Sequence, residues 1–86
     1  MEELRDSYNK LVVRAATVQE GVGRLEAQQR ASGFGLRGDM LAAKIRMGVN
    51  LKLAEGALNG RDPNRLKVHL KAAEADVDKL ESFLGH

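Results

Sequence analysis

Residues 45–53 read IRMGVNLKL, and their apolar and polar side chains alternate without interruption. Such alternation is typical of a β-strand that is buried on one face. The neighbouring segments DMLAAK and AEGAL are instead rich in residues that favour helices. The pattern therefore leaves two folds open, one that contains a β-hairpin and one that is entirely helical.

The rest of the chain carries the spacing of bundle helices. In two long segments, apolar residues recur in alternating steps of four and three positions, as they do in coiled coils and helical bundles. The first seam comprises Leu4, Tyr8, Leu11, Ala15, Val18, Val22 and Leu25, and the second comprises Leu66, Leu70, Ala73, Val77, Leu80 and Leu84. These seams predict a long first helix over residues 2–31 and a last helix over residues 63–84.

The sequence SGFGLRGD contains three glycines and ends the first helical pattern. It predicts a loop over residues 32–38. Asp39 is a natural N-cap, because its carboxylate can accept a hydrogen bond from a free N–H group in the first turn of a helix. We therefore expect a middle helix over residues 39–59.

The sequence NGRDP predicts a tight turn over residues 60–62. Asn59 and Gly60 suit the end of a helix, Asp62 suits an N-cap, and Pro63 suits the first position of the next helix. A connection this short makes the middle and last helices antiparallel neighbours.

The alternating segment is compatible with a strand or with a helix that has two apolar stripes. As a strand, residues 43–53 could pair with residues 65–71, but a two-stranded hairpin alone is only marginally stable. As a helix at about 100° per residue, the segment has two apolar stripes. One comprises Ala42, Ile45, Val49 and Leu53, and the other comprises Met40, Ala43, Met47, Leu51, Ala54 and Leu58. We therefore predict an all-α, antiparallel, up-down-up three-helix bundle with a long, heptad-patterned first helix, able to self-associate as a coiled-coil or bundle dimer.

The distribution of charge is consistent with this topology. The last helix begins basic and ends acidic, which opposes its own macrodipole. In an up-down-up bundle, the acidic start of the first helix lies beside that basic start. The acidic end of the last helix would face Arg24, Arg30, Arg37, Lys44 and Arg46.

Length and composition limit the classes of protein to consider. The chain has 86 residues and a net charge of +2, which is consistent with one helical-bundle domain over residues 1–86. It has no cysteine and no apolar run near the ~20 residues of a membrane span. We expect a soluble, cytoplasmic protein that does not bind a membrane.

The sequence predicts no enzymatic activity. It lacks a nucleophile elbow, a phosphate-binding glycine loop and the spacing of zinc ligands. Glu74, Asp78 and Glu81 share one helical stripe, but a solvated face paired with basic neighbours explains them without a metal ion. We expect no cofactor, no metal and no small-molecule substrate.

The leading hypothesis is a non-enzymatic helical protein–protein interaction or oligomerisation module, because the apolar surface exceeds what a small three-helix core requires. Its partner would be another copy of the chain or another helical protein. The candidate interaction surface comprises Leu11, Val18, Val22, Ile45, Val49 and Leu53.

Two alternatives remain open. The first is a small, basic-faced protein that binds nucleic acid, although no aromatic residues are interleaved with its cations. Its candidate phosphate contacts are Arg37, Lys44, Arg46, Lys67 and Lys71. The second is a regulatory or adaptor domain from a larger, bacterial-type signalling protein.

Overall fold

The computed structural model describes residues 1–33 and 35–85, and its helices are α1 (Glu2–Ala31), α2 (Gly38–Asn59) and α3 (Pro63–Leu84). The prediction of an all-α three-helix bundle is confirmed. The alternating segment lies wholly within α2, and the proposed partner strand lies within α3. The β-hairpin alternative is therefore wrong.

Side-chain contacts show that α1 and α2 are antiparallel, and the short turn over residues 60–62 makes α3 antiparallel to α2. Lys44 near the start of α2 donates to Glu26 near the end of α1, with 2.6 Å between Nζ and Oε1. At the other end, the Tyr8 hydroxyl of α1 donates to Glu55 of α2, with 3.4 Å between the oxygens. The bundle therefore has the up-down-up direction expected from its short connections.

The three helices share one apolar core in which α3 is central. α2 packs mainly against α3, and α1 contacts α3 more than it contacts α2. The buried apolar side chains are Leu11, Ala15, Val18, Val22, Met40, Ala43, Met47, Ala54, Ala57, Leu66, Leu70, Ala73, Val77 and Leu80. Both heptad seams therefore contribute to the core.

The ends of α3 follow the sequence signals. Asp62 is the N-cap, and its Oδ1 accepts a hydrogen bond from the backbone N–H of Arg65 over 3.2 Å. Pro63 occupies the first helical position, where the missing N–H has no intrahelical partner to lose. Gly85 closes the helix in the left-handed conformation, with φ of 83°.

The start of α2 differs from the prediction. The helix begins at Gly38, so Arg37 is the N-cap and Asp39 already lies in the first turn. The Asp39 carboxylate instead accepts hydrogen bonds from the Arg37 guanidinium at 3.0 Å and from the N–H of Met40 at 3.0 Å. Slight desolvation raises the pKa of Asp39, but the charge and hydrogen bond of Arg37 and the Met40 N–H outweigh it, so the pKa is lowered.

The ion pairs between helices agree only in part with the expected charge layout. Arg46 reaches Asp76 of α3 at 3.1 Å, as expected for a base facing the acidic end of that helix. The sequence did not point to Arg14, which contacts Asp78 at 2.6 Å and Glu81 at 2.7 Å. Its hydrogen bonds to Glu81 and then to Asp78 raise the pKa of Arg14, which stays charged.

None of the helices in residues 1–33 and 35–85 is both long and apolar enough to cross a membrane.

The turn between α2 and α3 contains one strained residue. Arg61 has φ of 54°, a left-handed conformation that a residue with a Cβ adopts at a cost of about 1–2 kcal/mol. Glycine adopts it freely but loses more entropy on folding. We expect Arg61→Gly to raise the free energy of unfolding by about 0.5 kcal/mol, measured by chemical denaturation. The control Arg24→Gly, within α1, should lower it by about 1 kcal/mol.

Gly21 and Gly23 of α1 have different surroundings and offer a second test. A Cβ built on Gly21 would lie 2.7 Å from Cδ1 of Leu84, whereas one on Gly23 would meet nothing within 4 Å. We expect Gly23→Ala to stabilise the protein by about 1 kcal/mol through helix propensity. Gly21→Ala should gain less because Leu84 must move. Equal gains in a thermal or chemical unfolding experiment would contradict this packing.

Candidate protein interaction surface

The outer face of α2 carries a continuous apolar ridge that the rest of the described chain does not cover. It consists of Leu41, Ile45, Val49 and Leu53, whose exposed fractions are 43%, 57%, 52% and 44%. These residues are four apart, so they form a single row along one side of the helix. We call this row the outer ridge.

The ridge is exposed because α2 turns its other stripe to the core. The buried residues of the helix are Met40, Ala43, Met47, Ala54 and Ala57. At about 100° per residue, this inner stripe lies opposite the outer ridge. The three alanines let the backbone of α2 approach its neighbours closely, whereas the branched side chains of the outer ridge point away from the core.

The structure separates the residues of the predicted interaction surface into two groups. Ile45, Val49 and Leu53 lie on the outer ridge. The other three, Leu11, Val18 and Val22, are buried in the core at 4%, 1% and 1% exposure, so they are not accessible to a partner in this fold.

Leu41 belongs to the ridge but was not part of the predicted interaction surface. Its position four residues before Ile45 was the available signal. Ala42, expected in the same stripe, is half-buried. Gly48 is exposed beside the ridge, and a Cβ built on it would meet no atom within 4 Å.

A cleft of about 430 Å³ continues from the last residue of the ridge. Its lining is Lys52, Leu53, Gly56, Ala57, Gly60, Asp62 and Arg65. Gly56 leaves open space in this lining, since a Cβ built there would meet nothing within 4 Å. Lys52 comes from α2 and Arg65 from α3, so two helices supply its cations.

The cleft at the end of the ridge contains two cations that have no ion pair in the described chain. Within the described residues, neither Lys52 nor Arg65 has a carboxylate within 4 Å of its side-chain nitrogens. Asp62 also lines the cleft, but it is the N-cap of α3. Burial, followed by the charge and hydrogen bond of Glu55, raises the pKa of Tyr8, so the hydroxyl of Tyr8 stays protonated and donates to that carboxylate.

The candidate phosphate contacts do not share one face of α2. Lys44 pairs with Glu26 of α1 at 2.6 Å and Arg46 pairs with Asp76 of α3 at 3.1 Å, so they point to opposite flanks. Arg37 pairs with Asp39 and lies 5.9 Å from the centre of the Phe83 ring. The remaining two cations, Lys67 and Lys71, are exposed on α3.

The acidic stripe of α3 is partly occupied by this chain's own arginine. Arg14 binds both Asp78 and Glu81. In residues 1–33 and 35–85, no group of three or more histidine, aspartate or glutamate residues is placed to hold a metal ion.

Comparison of the chain with protein family models, with curated proteins and with solved structures finds no match. The outer face of α2 is therefore interpreted from its own geometry.

A matched pair of substitutions tests whether the outer ridge is independent of the core. Val49 on the ridge is 52% exposed, and Val77 in α3 is fully buried at 0%. We expect Val49→Ala to change the free energy of unfolding by less than about 0.5 kcal/mol. Val77→Ala should lower it by about 2 kcal/mol, because it removes buried methyl groups and leaves a cavity. A similar loss for both valines in urea denaturation would show that the ridge is covered within the monomer.

Proposed function

We propose that this protein is a non-enzymatic helical interaction module that binds an α-helix on the outer ridge of α2. The helix comes from another protein or from a second copy of this chain. The observation that supports the proposal most directly is the row of four large apolar side chains, each more than two-fifths exposed, on one face of one helix. Isolated apolar residues are common on protein surfaces, but contiguous apolar patches are typical of binding sites.

The geometry of the ridge favours a helix as the bound element. From Leu41 to Leu53 it extends about 18 Å at 1.5 Å per residue, or a little more than three turns. Rows of residues four apart pack into the grooves of a second helix at a crossing angle of about −50°. The exposed Gly48 beside the row lets another backbone approach closely.

The nucleic-acid alternative has weaker support from the positions of its residues. A phosphate backbone requires cations that share one surface and remain free to bind it. Lys44 and Arg46 lie on opposite flanks of α2, and each is paired with a carboxylate of this chain. We therefore retain protein binding as the proposed function, and we propose a cytoplasmic location because the chain contains no cysteine.

Binding through the ridge can be tested without knowing the natural partner. A display library of amphipathic helical peptides is selected on the immobilised full chain, and self-association is followed in parallel by sedimentation at micromolar concentration. We expect selected peptides to bind the wild-type chain, or the chain to form a dimer. The variant Ile45→Glu should abolish either interaction, because it places a charge within the apolar contact. The matched control Val13→Glu introduces the same charge at an exposed apolar residue of α1, which is 67% exposed.

Both variants should remain folded, as checked by circular dichroism, since both positions are exposed. If no peptide is enriched and the chain remains monomeric, the proposed function is wrong. An equal effect of Ile45→Glu and Val13→Glu would place binding elsewhere on the molecule.

A further inference from the structure

The outer ridge and the cleft at its end form one surface, because Leu53 belongs to both. We propose that this surface binds an acidic amphipathic helix of another protein, with a carboxylate of that helix held between Lys52 and Arg65. This inference rests on the proposed function and specifies the chemistry of the partner. The apolar row of the bound helix covers the ridge, and its acidic residue enters the cleft over Gly56.

The charges of the cleft determine the sign of the partner. Lys52 and Arg65 have no carboxylate within 4 Å in the described chain, so both are available to an incoming anion. The one acid in the lining, Asp62, already accepts the hydrogen bond from the backbone N–H of Arg65. An arginine and a lysine that line the same cleft can provide charge-assisted hydrogen bonds to a carboxylate.

The absence of a side chain at Gly56 provides the space for that carboxylate. Gly56 follows Lys52 by four residues on the same helix, so it lies one turn beyond it. A bound helix that continues past Leu53 therefore brings its next turn over the cleft. This places the acidic residue of the partner beside its apolar row, as in an amphipathic helix.

A second copy of this chain is a poorer fit to the same surface. α2 contains only two acidic residues, Asp39 and Glu55. Asp39 is paired with Arg37, and Glu55 accepts the hydrogen bond from Tyr8. An α2-to-α2 contact would therefore bring no free carboxylate from α2 to the cleft. Charge complementarity favours a different chain.

The experiment compares two synthetic helical peptides that share one row of leucines four apart. One peptide has glutamates beside the row and the other has lysines, and binding to the full chain is measured by fluorescence anisotropy. We expect the glutamate peptide to bind about fivefold more tightly, as two exposed ion pairs would provide. This preference should decrease as salt is added, because exposed charges are screened.

Three variants test the assignment of the cleft. Lys52→Glu with Arg65→Glu should reverse the preference between the peptides. Lys10→Glu with Arg24→Glu makes the same change in net charge on α1 and should preserve the preference. Gly56→Gln fills the cleft without changing its charge, and it should weaken binding of the glutamate peptide while leaving the bundle folded.

The outcomes separate this inference from the proposed function. Equal binding of the two peptides, with binding lost in Ile45→Glu, overturns the acidic partner and leaves the ridge as a docking surface. If the wild-type chain is a dimer and Ile45→Glu dissociates it, a second copy occupies the ridge. This result also overturns the acidic partner and leaves the ridge as a docking surface. A chain that binds neither peptide and remains monomeric overturns both.

Discussion

The apolar seam of α3 is the surface on which the other two helices depend. Leu66, Ala73, Val77 and Leu80 are fully buried along it. The short turn capped by Asp62 holds α2 against this seam, and α1 packs on the same helix. Because the fully buried side chains of α2 are alanines and methionines, the branched side chains of the outer ridge are left outside the core. Close packing at α3 therefore produces the exposed outer ridge.

Much of the fold could be predicted because its signals are periodic or local. The two heptad seams predict α1 and α3 with their observed bounds, and the Asp62–Pro63 cap marks the turn between α2 and α3. The start of α2 could not be placed to the residue, because aspartate is favourable both at the N-cap and in the first turn of a helix. Asp39 is the second residue of α2, two positions after the N-cap Arg37. In the turn after α2, the left-handed conformation is adopted by Arg61 and not by Gly60, although glycine favours it.

The alternating segment shows why apolar patterns can mislead. A helix with apolar stripes on opposite faces reproduces the alternation of a strand over several residues, and only the neighbouring elements distinguish the two. The pattern also does not show which positions the chain itself covers. Leu11 and Ile45 are both apolar residues in helical stripes, yet the first is in the core and the second is at the surface. The contacts of Arg14 depend on the relative height of α1 and α3, which no local pattern contains.

The two faces of α2 are under different physical constraints. The inner stripe must fit α3, so a larger side chain at Ala43 or Ala54 would force the helices apart. The outer ridge contacts solvent, and its residues can be exchanged with little effect on the bundle. Sequence divergence can therefore proceed on the outer face while the inner face stays fixed. A chain built in this way can acquire a new binding specificity by successive substitutions, each of which leaves a folded protein.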